Sequence, residues 1–378
     1  PTALTLLFAL ACFSARADIE SVTVVDPLTP IYSPTDVREA PSQDRLTLVG
    51  PRNGTCSGQV VVLGTDLDKV VVVMGPLQNG TETIPAEAVR VRYAAKEIGY
   101  IVGNLDQRDG HTHHAYLDPY YDILHPRPPE DTDVMPVWVT VEIPADTTAG
   151  EYAGVLRIDG ASVPVSLTVA PWSCPEPGDM DTHVGVVPST ESLSRRYKAK
   201  DWSEEHWKLI EEELRLLGKT GNDDLWIHAL WHLGYKTGKT AMVRFTRNGD
   251  TIVPDFTVLD RYLGLYREFC SRPQHIIVTV WTDNPRGRRG KPPKPEVHVV
   301  VDDQAVAVPR VHAPGGKEIW KPVLDGIRER VAALGWDENS ILLGLAYDQR
   351  PSREEVAGFK AIDAGVLKYG LGIYWEPP

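Results

Sequence analysis

Apolar and polar positions change their period once along the chain. Up to about residue 170 the apolar residues come in short runs: "QVVVLG", "KVVVVMG", "VRVRYA", "PVWVTVEI", "YAGVLRI" and "VPVSLTVA". These runs are rich in Val, Ile, Tyr and Trp, and Gly, Pro, Asn and Asp punctuate them, which predicts strands separated by turns. No helical period stands out before residue 180 except around Ala86. Many short strands of this kind predict an antiparallel β-sandwich over residues 18–170. "PWSCPEPGDM", Pro171–Met180, carries three prolines and reads as a linker over residues 171–180.

From residue 181 to 378 strands and helices alternate. "THVGVV" reads as a strand, and "DWSEEHWKLIEEELRLLG" as an amphipathic helix with Asp201 and Glu204 as a cap pair. Trp207, Ile210, Leu214 and Leu217 form its buried stripe, and Gly218 is expected to end it. "DLWIHAL" and "HIIVTVW" are the second and third strands, with the helix "TVLDRYLGLYREFC" between them. A hairpin, "EVHVVVDDQAVAV", precedes the helix "KEIWKPVLDGIRERVAALGW", whose Trp320, Val323, Ile327, Val331 and Leu334 share one side. "ILLGLAY" is the fourth strand. A helix with a Ser352–Glu355 capping box follows, and "LGIYW" is the fifth strand. Alternating βα units with continuous apolar strands predict a parallel sheet covered on both faces. A doubly wound sheet and a (β/α)8-type barrel both fit, and the lack of a Gly-rich phosphate loop after the first strand weakens a dinucleotide-binding fold. A barrel of about five strands is expected to be C-terminally incomplete.

Composition narrows the class. The 378 residues, 42% hydrophobic, are enough for two domains with cores of their own. A formal charge of -13 argues against nucleic acid and anionic membrane as partners. The one basic cluster, Arg286 to Lys291, lies among Gly and Pro and reads as a solvated loop. Residues 1–17 resemble the end of a signal peptide: an apolar run from Leu4 to Phe13, too short to span a bilayer, then Ala15-Arg16-Ala17. That predicts a secreted or periplasmic protein. Cys56, Cys174 and Cys270 match no zinc or redox spacing; one disulfide with a free thiol, or three buried thiols, both fit.

Sites in parallel α/β folds form at the C-terminal ends of strands. That rule selects His228, Trp231 and His232 after the second strand, and Trp281, Asp283 and Asn284 after the third. It selects Tyr347, Asp348 and Gln349 after the fourth, and Trp375 and Glu376 after the fifth. Aromatic faces stack on sugar rings, while carboxylates bind hydroxyls and do acid–base work, so the set points to glycan chemistry. His111, His113 and His114 lie near Asp109, Asp118 and Asp122, but between strands in a polar loop. They read better as a domain-interface segment than as a zinc site. His228 and His232, at i and i+4 on a strand end, read as sugar hydrogen-bonding or structural residues. No cofactor and no metal is expected.

Here the chain resembles a known family. "YLDPYYDILHPRPPEDTDVMPVWVTVEIPADTTAGEYAGVLRI", Tyr116 to Ile158, is similar to the sandwich domain preceding the barrel of glycoside hydrolase family 123, including bacterial relatives. The features that match are Asp118-Pro119, Trp138, Pro144 and Gly150 to Gly154; "PDFTVLDRYL", "GKEIWKPVLDGIRERVAALGW" and "ILLGLAYDQRPS" then follow in the expected order. The resemblance implies action on β-linked N-acetylgalactosamine by substrate-assisted, retaining hydrolysis. The family's Asp, which orients the substrate acetamide, falls at Asp348; its general-acid Glu falls at Gln349. A carboxamide has no proton to give near neutral pH. The expected function is therefore either glycosidase action with another acid, Glu376, Asp283 or Asp348 itself, or glycan binding without cleavage.

Overall fold

Burial with a period of two governs the first half of the protein. This computed structural model describes residues 17–94, 124–230, 241–280, 295–345, 352–362 and 369–371. The chain divides into two compact units between Cys174 and Pro175. In the first unit β11 (Gly150–Ile158) turns Tyr152, Leu156 and Ile158 inward and Glu151, Ala153 and Arg157 outward. β12 (Ala161–Ser173) buries Val163, Val165, Leu167 and Val169, as alternating side chains of a strand must.

Two six-stranded sheets result. One runs β2 (Ser42–Gln43), β1 (Asp18–Val25), β4 (Gly54–Thr65), β10 (Val134–Ile143), β8 (Val89–Ala94), β9 (Leu124–His125). The other runs β3 (Leu46–Arg52), β12, β11, β6 (Leu77–Asn79), β7 (Glu82–Ile84), with β5 (Val72–Met74) also on β11. The ladders are antiparallel except β3 with β12. Val60, Val137 and Val139 of one sheet and Leu48, Tyr152 and Leu167 of the other belong to one apolar cluster. Gly58 marks their close approach: a Cβ there would sit 2.6 Å from Leu46 of the facing sheet.

The Pro144–Gly154 motif has a physical reading. The Thr147 N–H closes a turn on the Pro144 carbonyl at 3.2 Å. Gly150 takes a φ of +145°, open to glycine. The buried Tyr152 donates its hydroxyl to the Thr148 carbonyl at 2.9 Å. A Cβ on Gly154 would stand 2.8 Å from Leu77. One element was not legible in the pattern. Helix α1 (Pro34–Glu39) starts at a Ser33–Asp36 capping box with Pro at its first position, while Ala86–Ala88 is a single 3-10 turn. The expected linker also starts later, because β12 continues through Ser173.

The second unit holds a parallel sheet in the order β13 (Asp224–His228), β16 (His275–Thr279), β19 (Ile341–Leu345), β20 (Tyr369–Leu371). Each strand lies beside the next in chain order. A doubly wound sheet reverses its order at a switch point, and no reversal occurs among the described residues, where the sheet also does not close on itself. The crossovers contain helices α4 (Thr257–Phe269), α5 (Gly316–Ala333) and α6 (Arg353–Ile362); α2 (Thr190–Arg196) and α3 (Glu204–Lys219) precede β13. None of these helices is long and apolar enough to cross a membrane.

The expected hairpin is present as β17 (Glu296–Val301) and β18 (Gln304–Pro309). It is half of a larger element. β14 (Arg244–Asn248) and β15 (Thr251–Asp255), unforeseen in the sequence, form a second hairpin, and the two join through Phe245 opposite Val301 into a four-stranded sheet. Phe245, Val299 and Val301 lie in the same apolar cluster as Ile210, Leu214, Tyr262 and Trp320 of the helices and Ile276 and Leu343 of the parallel sheet.

Several local expectations are corrected. "THVGVV" forms no ladder: Val184 makes an isolated parallel bridge to Asn222. The N–H groups of Val184 and Val186 go to the side chains of Asp223 and Asn222, at 3.2 and 2.9 Å, and such bonds compete with a sheet ladder. Helix α3 is capped by Ser203, which accepts from the His206 N–H, and not by Asp201; Glu204 instead takes a bidentate pair of bonds from Arg261. Gly218 does not end α3, which runs to Lys219 with Gly221 at φ +77° beyond it. Gly218 is where the Phe269 carbonyl passes, 1.8 Å from where a Cβ would stand. The fifth strand begins two residues earlier than expected, at Tyr369. Cys56, Cys174 and Cys270 are unpaired, and burial pushes the Cys56 thiol up to about 11.

The start of α6 is fixed by a reciprocal cap. Ser352 Oγ accepts from the Glu355 N–H at 3.1 Å, and Glu355 accepts from the Ser352 N–H at 2.9 Å, as the capping box predicted. Glu355 also pairs with Arg310, and both side chains are buried. Arg310→Met would leave a buried carboxylate without its counter-charge, at a cost of about 3–5 kcal/mol. Urea unfolding should show that loss, and Glu355→Gln added to it should restore most of the stability while keeping the cap.

Candidate functional site

The C-terminal ends of β13, β16 and β19 lie on one edge of the parallel sheet, because parallel strands share a direction. At the first of these ends sits His228, 1% exposed. Its Nδ1 is 3.4 Å from Thr279 Oγ1, which in turn donates to the Ile227 carbonyl. Its backbone carbonyl accepts from the Met242 N–H at 2.7 Å and the Val243 N–H at 3.4 Å. His228 thus joins the end of β13 to the end of β16 and to the start of the hairpin sheet. Burial pushes its pKa down to about 4. It is a neutral ring near pH 7, and Nε2 has no hydrogen-bond partner among the described residues. In this position it orients its neighbours.

Trp231, His232, Trp281, Asp283, Tyr347, Asp348, Gln349, Trp375 and Glu376 lie outside the described residues, as do His111, His113 and His114. What is described are the elements around them. β19 leads into residues 346–351, and the Ser352 cap begins α6 directly after them.

Two features escaped sequence reasoning. A cleft of about 360 Å³ is lined by Lys200, Asp201, Trp202, Arg244 and Asp303. Arg244 pairs with Asp303 and lies two residues after Met242, beside the end of β13. An indole among charged groups offers both a flat apolar face and hydrogen bonds, the combination that sugars bind. Its residues come from three separate stretches, so no local pattern announces it. Glu191, in the first turn of α2, is 6% exposed, and burial raises its pKa, with Arg195 pulling the other way. Its Oε1 faces Arg195 at 3.8 Å and accepts no hydrogen bond among the described residues. The short "PSTES" cap signal places it at the start of a helix but does not show that it is buried.

The family model described as the glycoside hydrolase 123 catalytic domain matches residues 189–364, and the glycoside hydrolase 123 N-terminal domain matches residues 32–160. The chain belongs to glycoside hydrolase family 123. Among solved structures, a family 123 glycoside hydrolase from Clostridium perfringens, studied for glycolipid glycan hydrolysis, superposes on 93% of this chain with a TM-score of 0.67. The two are 12% identical, so the likeness speaks for the fold alone, and this chain spans 62% of that one. A GH20 exo-β-N-acetylglucosaminidase from Vibrio harveyi in complex with N-acetylglucosamine, 10% identical, covers 85% of this chain and 69% of its own at a TM-score of only 0.20. No curated protein matches. The family match spans the described ends of β13, β16 and β19 and the positions of Asp348 and Gln349.

The buried histidine gives family 123's candidate strand edge here a pH signature. His228 is ordinarily near 6.5 when unfolded and about 4 when folded, so the unfolded chain binds the extra proton between those values. Its contribution is complete above pH 6.5 and is lost as pH falls toward 4, by at most about 3 kcal/mol. Glu213, which burial raises to about 7, acts in the opposite sense as pH rises from 4.5 to 7. The His228 share is therefore the difference between wild type and His228→Gln: urea unfolding at pH 7 and pH 4.5 should show a smaller loss on acidification in the variant.

Proposed function

We propose that this family 123 chain acts on β-linked N-acetylhexosamine glycans, N-acetylgalactosamine first among them, outside the cytoplasm. We read its second unit as built on the plan of a (β/α)8-type barrel. The monotonic order β13–β16–β19–β20 supports that reading, since a barrel adds each strand beside the last. The observation that carries the functional reading is the catalytic-domain match over residues 189–364, which includes Asp348 and Gln349 between β19 and the capped start of α6. The Clostridium relative's glycolipid glycan hydrolysis makes lipid-linked glycans a substrate class to include.

In this reading the substrate's acetamido oxygen attacks the anomeric carbon and the aglycone oxygen leaves. Asp348 orients the acetamido N–H and stabilises the positive charge of the oxazoline-like intermediate. Water then opens the ring from the face the aglycone left, so configuration is retained. Trp231, Trp281, Tyr347 and Trp375 supply stacking faces, and His232 supplies hydrogen bonds. His228 is buried, so its part is to hold the strand ends. Gln349 can hold a hydroxyl but cannot protonate the leaving oxygen. Glu376, Asp283 or Asp348 must then provide the proton. A second reading follows from the same residue: the chain holds the glycan and does not cleave it.

Release of nitrophenol from aryl β-N-acetylgalactosaminide and β-N-acetylglucosaminide tests the two. Slow hydrolysis is expected, rising about 10²–10⁴-fold in Gln349→Glu, where the acid is restored, and falling in Asp348→Asn. Calorimetric binding of the glycan with no turnover in either wild type or Gln349→Glu supports the second reading. Neither hydrolysis nor binding by a folded full chain removes both.

A further inference from the structure

The residues His183, Asp224 and His275 converge at the opposite edge of the parallel sheet. Asp224 and His275 are the first residues of β13 and β16 and are register partners. His183 comes from the segment that bridges to Asn222 without forming a ladder. His183 Nε2 lies 3.2 Å and His275 Nδ1 3.1 Å from the same Asp224 oxygen, Oδ1. The imidazoles meet edge to face, centroids 4.6 Å apart at 85°. One ligand atom from each of the three residues lies within 4.8 Å of the others.

Three details separate this group from an ordinary surface pair. His183 stands between two carboxylates, with Nδ1 2.6 Å from Asp223 Oδ1. A neutral imidazole has one N–H, so it can donate to one of the two and turns a lone pair toward the other. Asp223 itself is held, since its Oδ1 accepts from the Val184 N–H and its own N–H donates to the Val184 carbonyl. Gly185 leaves the space the group needs: a Cβ there would stand 2.1 Å from Asp224 Oδ2.

We propose that His183 Nε2, Asp224 Oδ1 and His275 bind a divalent transition metal ion of the zinc type, with Asp223 as the carboxylate that fixes the His183 ring. Ligand atoms at about 2.0–2.1 Å from tetrahedral zinc are about 3.3 Å apart, close to the two spacings to Asp224. Two imidazoles with one carboxylate select zinc, cobalt or nickel over calcium and magnesium. The Asp223–His183 contact is the carboxylate–histidine arrangement that sets tautomer and ring direction at metal sites. His183 and His275 are 43% and 41% exposed, which leaves an entry path and room for water as the fourth ligand. The N-terminal edge of a parallel sheet is where stability rather than catalysis is built. The ion's role is to tie the unladdered segment around Val184 to β13 and β16.

The test uses the full, untagged chain stripped with chelator and titrated with Zn²⁺ or Co²⁺. One equivalent should bind, giving Co²⁺ d–d absorption and a metal-dependent rise in the unfolding midpoint. His183→Ala and His275→Gln should each weaken binding by at least about 10-fold, and Asp223→Asn by about 10–100-fold, the range for such supporting groups. A His111→Ala, His113→Ala, His114→Ala triple variant should bind as wild type does. Circular dichroism of each stripped variant checks that it is folded. No saturable binding by the folded wild type overturns the proposal, as does binding that survives His183→Ala and His275→Gln or disappears in the triple variant.

Discussion

Two parallel strands cannot be joined by a tight turn, and that constraint organises the second unit. Each of β13, β16 and β19 must be followed by a chain long enough to return to the start of the next strand. The returns are made by α4, α5 and α6, and the chain before the first two helices has room for a hairpin. The hairpins do not wander separately. β14 meets β17 through Phe245 and Val301, and the sheet they form shares its core with the helices and the parallel strands. The connections that leave the C-terminal edge are long for the same reason.

Buried polar groups show where that architecture is tightest. Arg310 and Glu355 neutralise each other out of water, and Glu355 also caps α6, so one carboxylate serves packing and helix initiation together. His206 accepts from the Trp202 N–H through Nδ1 and faces the Thr190 carbonyl with Nε2, which joins the starts of α2 and α3. Glu213 and Tyr262 are less well served. Burial raises both pKa values, and Glu213 Oε2 and the Tyr262 hydroxyl have no partner among the described residues. A neutral Glu213 carboxyl is the form such a setting favours.

The two edges of the parallel sheet differ in chemical character. The C-terminal edge leads toward aromatic and carboxylate residues, with the neutral His228 as an internal brace. At the N-terminal edge, the side chains of Asn222 and Asp223 supply what a missing ladder would supply in backbone, and His183 and His275 gather on Asp223 and Asp224. Gln349, like Asp348, stands in sequence between the end of β19 and the Ser352 cap that starts α6.

By itself the sequence determined the change of period near residue 175, the parallel strands and helices of the second unit, and the Ser352–Glu355 cap. Each of these is written within a few residues, because alternation, helical spacing and capping are short-range effects. The types of residue after the strand ends are legible in the same way, but apart from His228 those residues lie outside the described residues. Tertiary structure alone decided that two hairpins form one sheet, that the segment around Val184 is held by side chains, and that His228 is buried. It also brought His183, Asp224 and His275 together across 92 residues of chain. Those outcomes depend on which distant elements touch, and a local pattern records which face is buried but not what covers it.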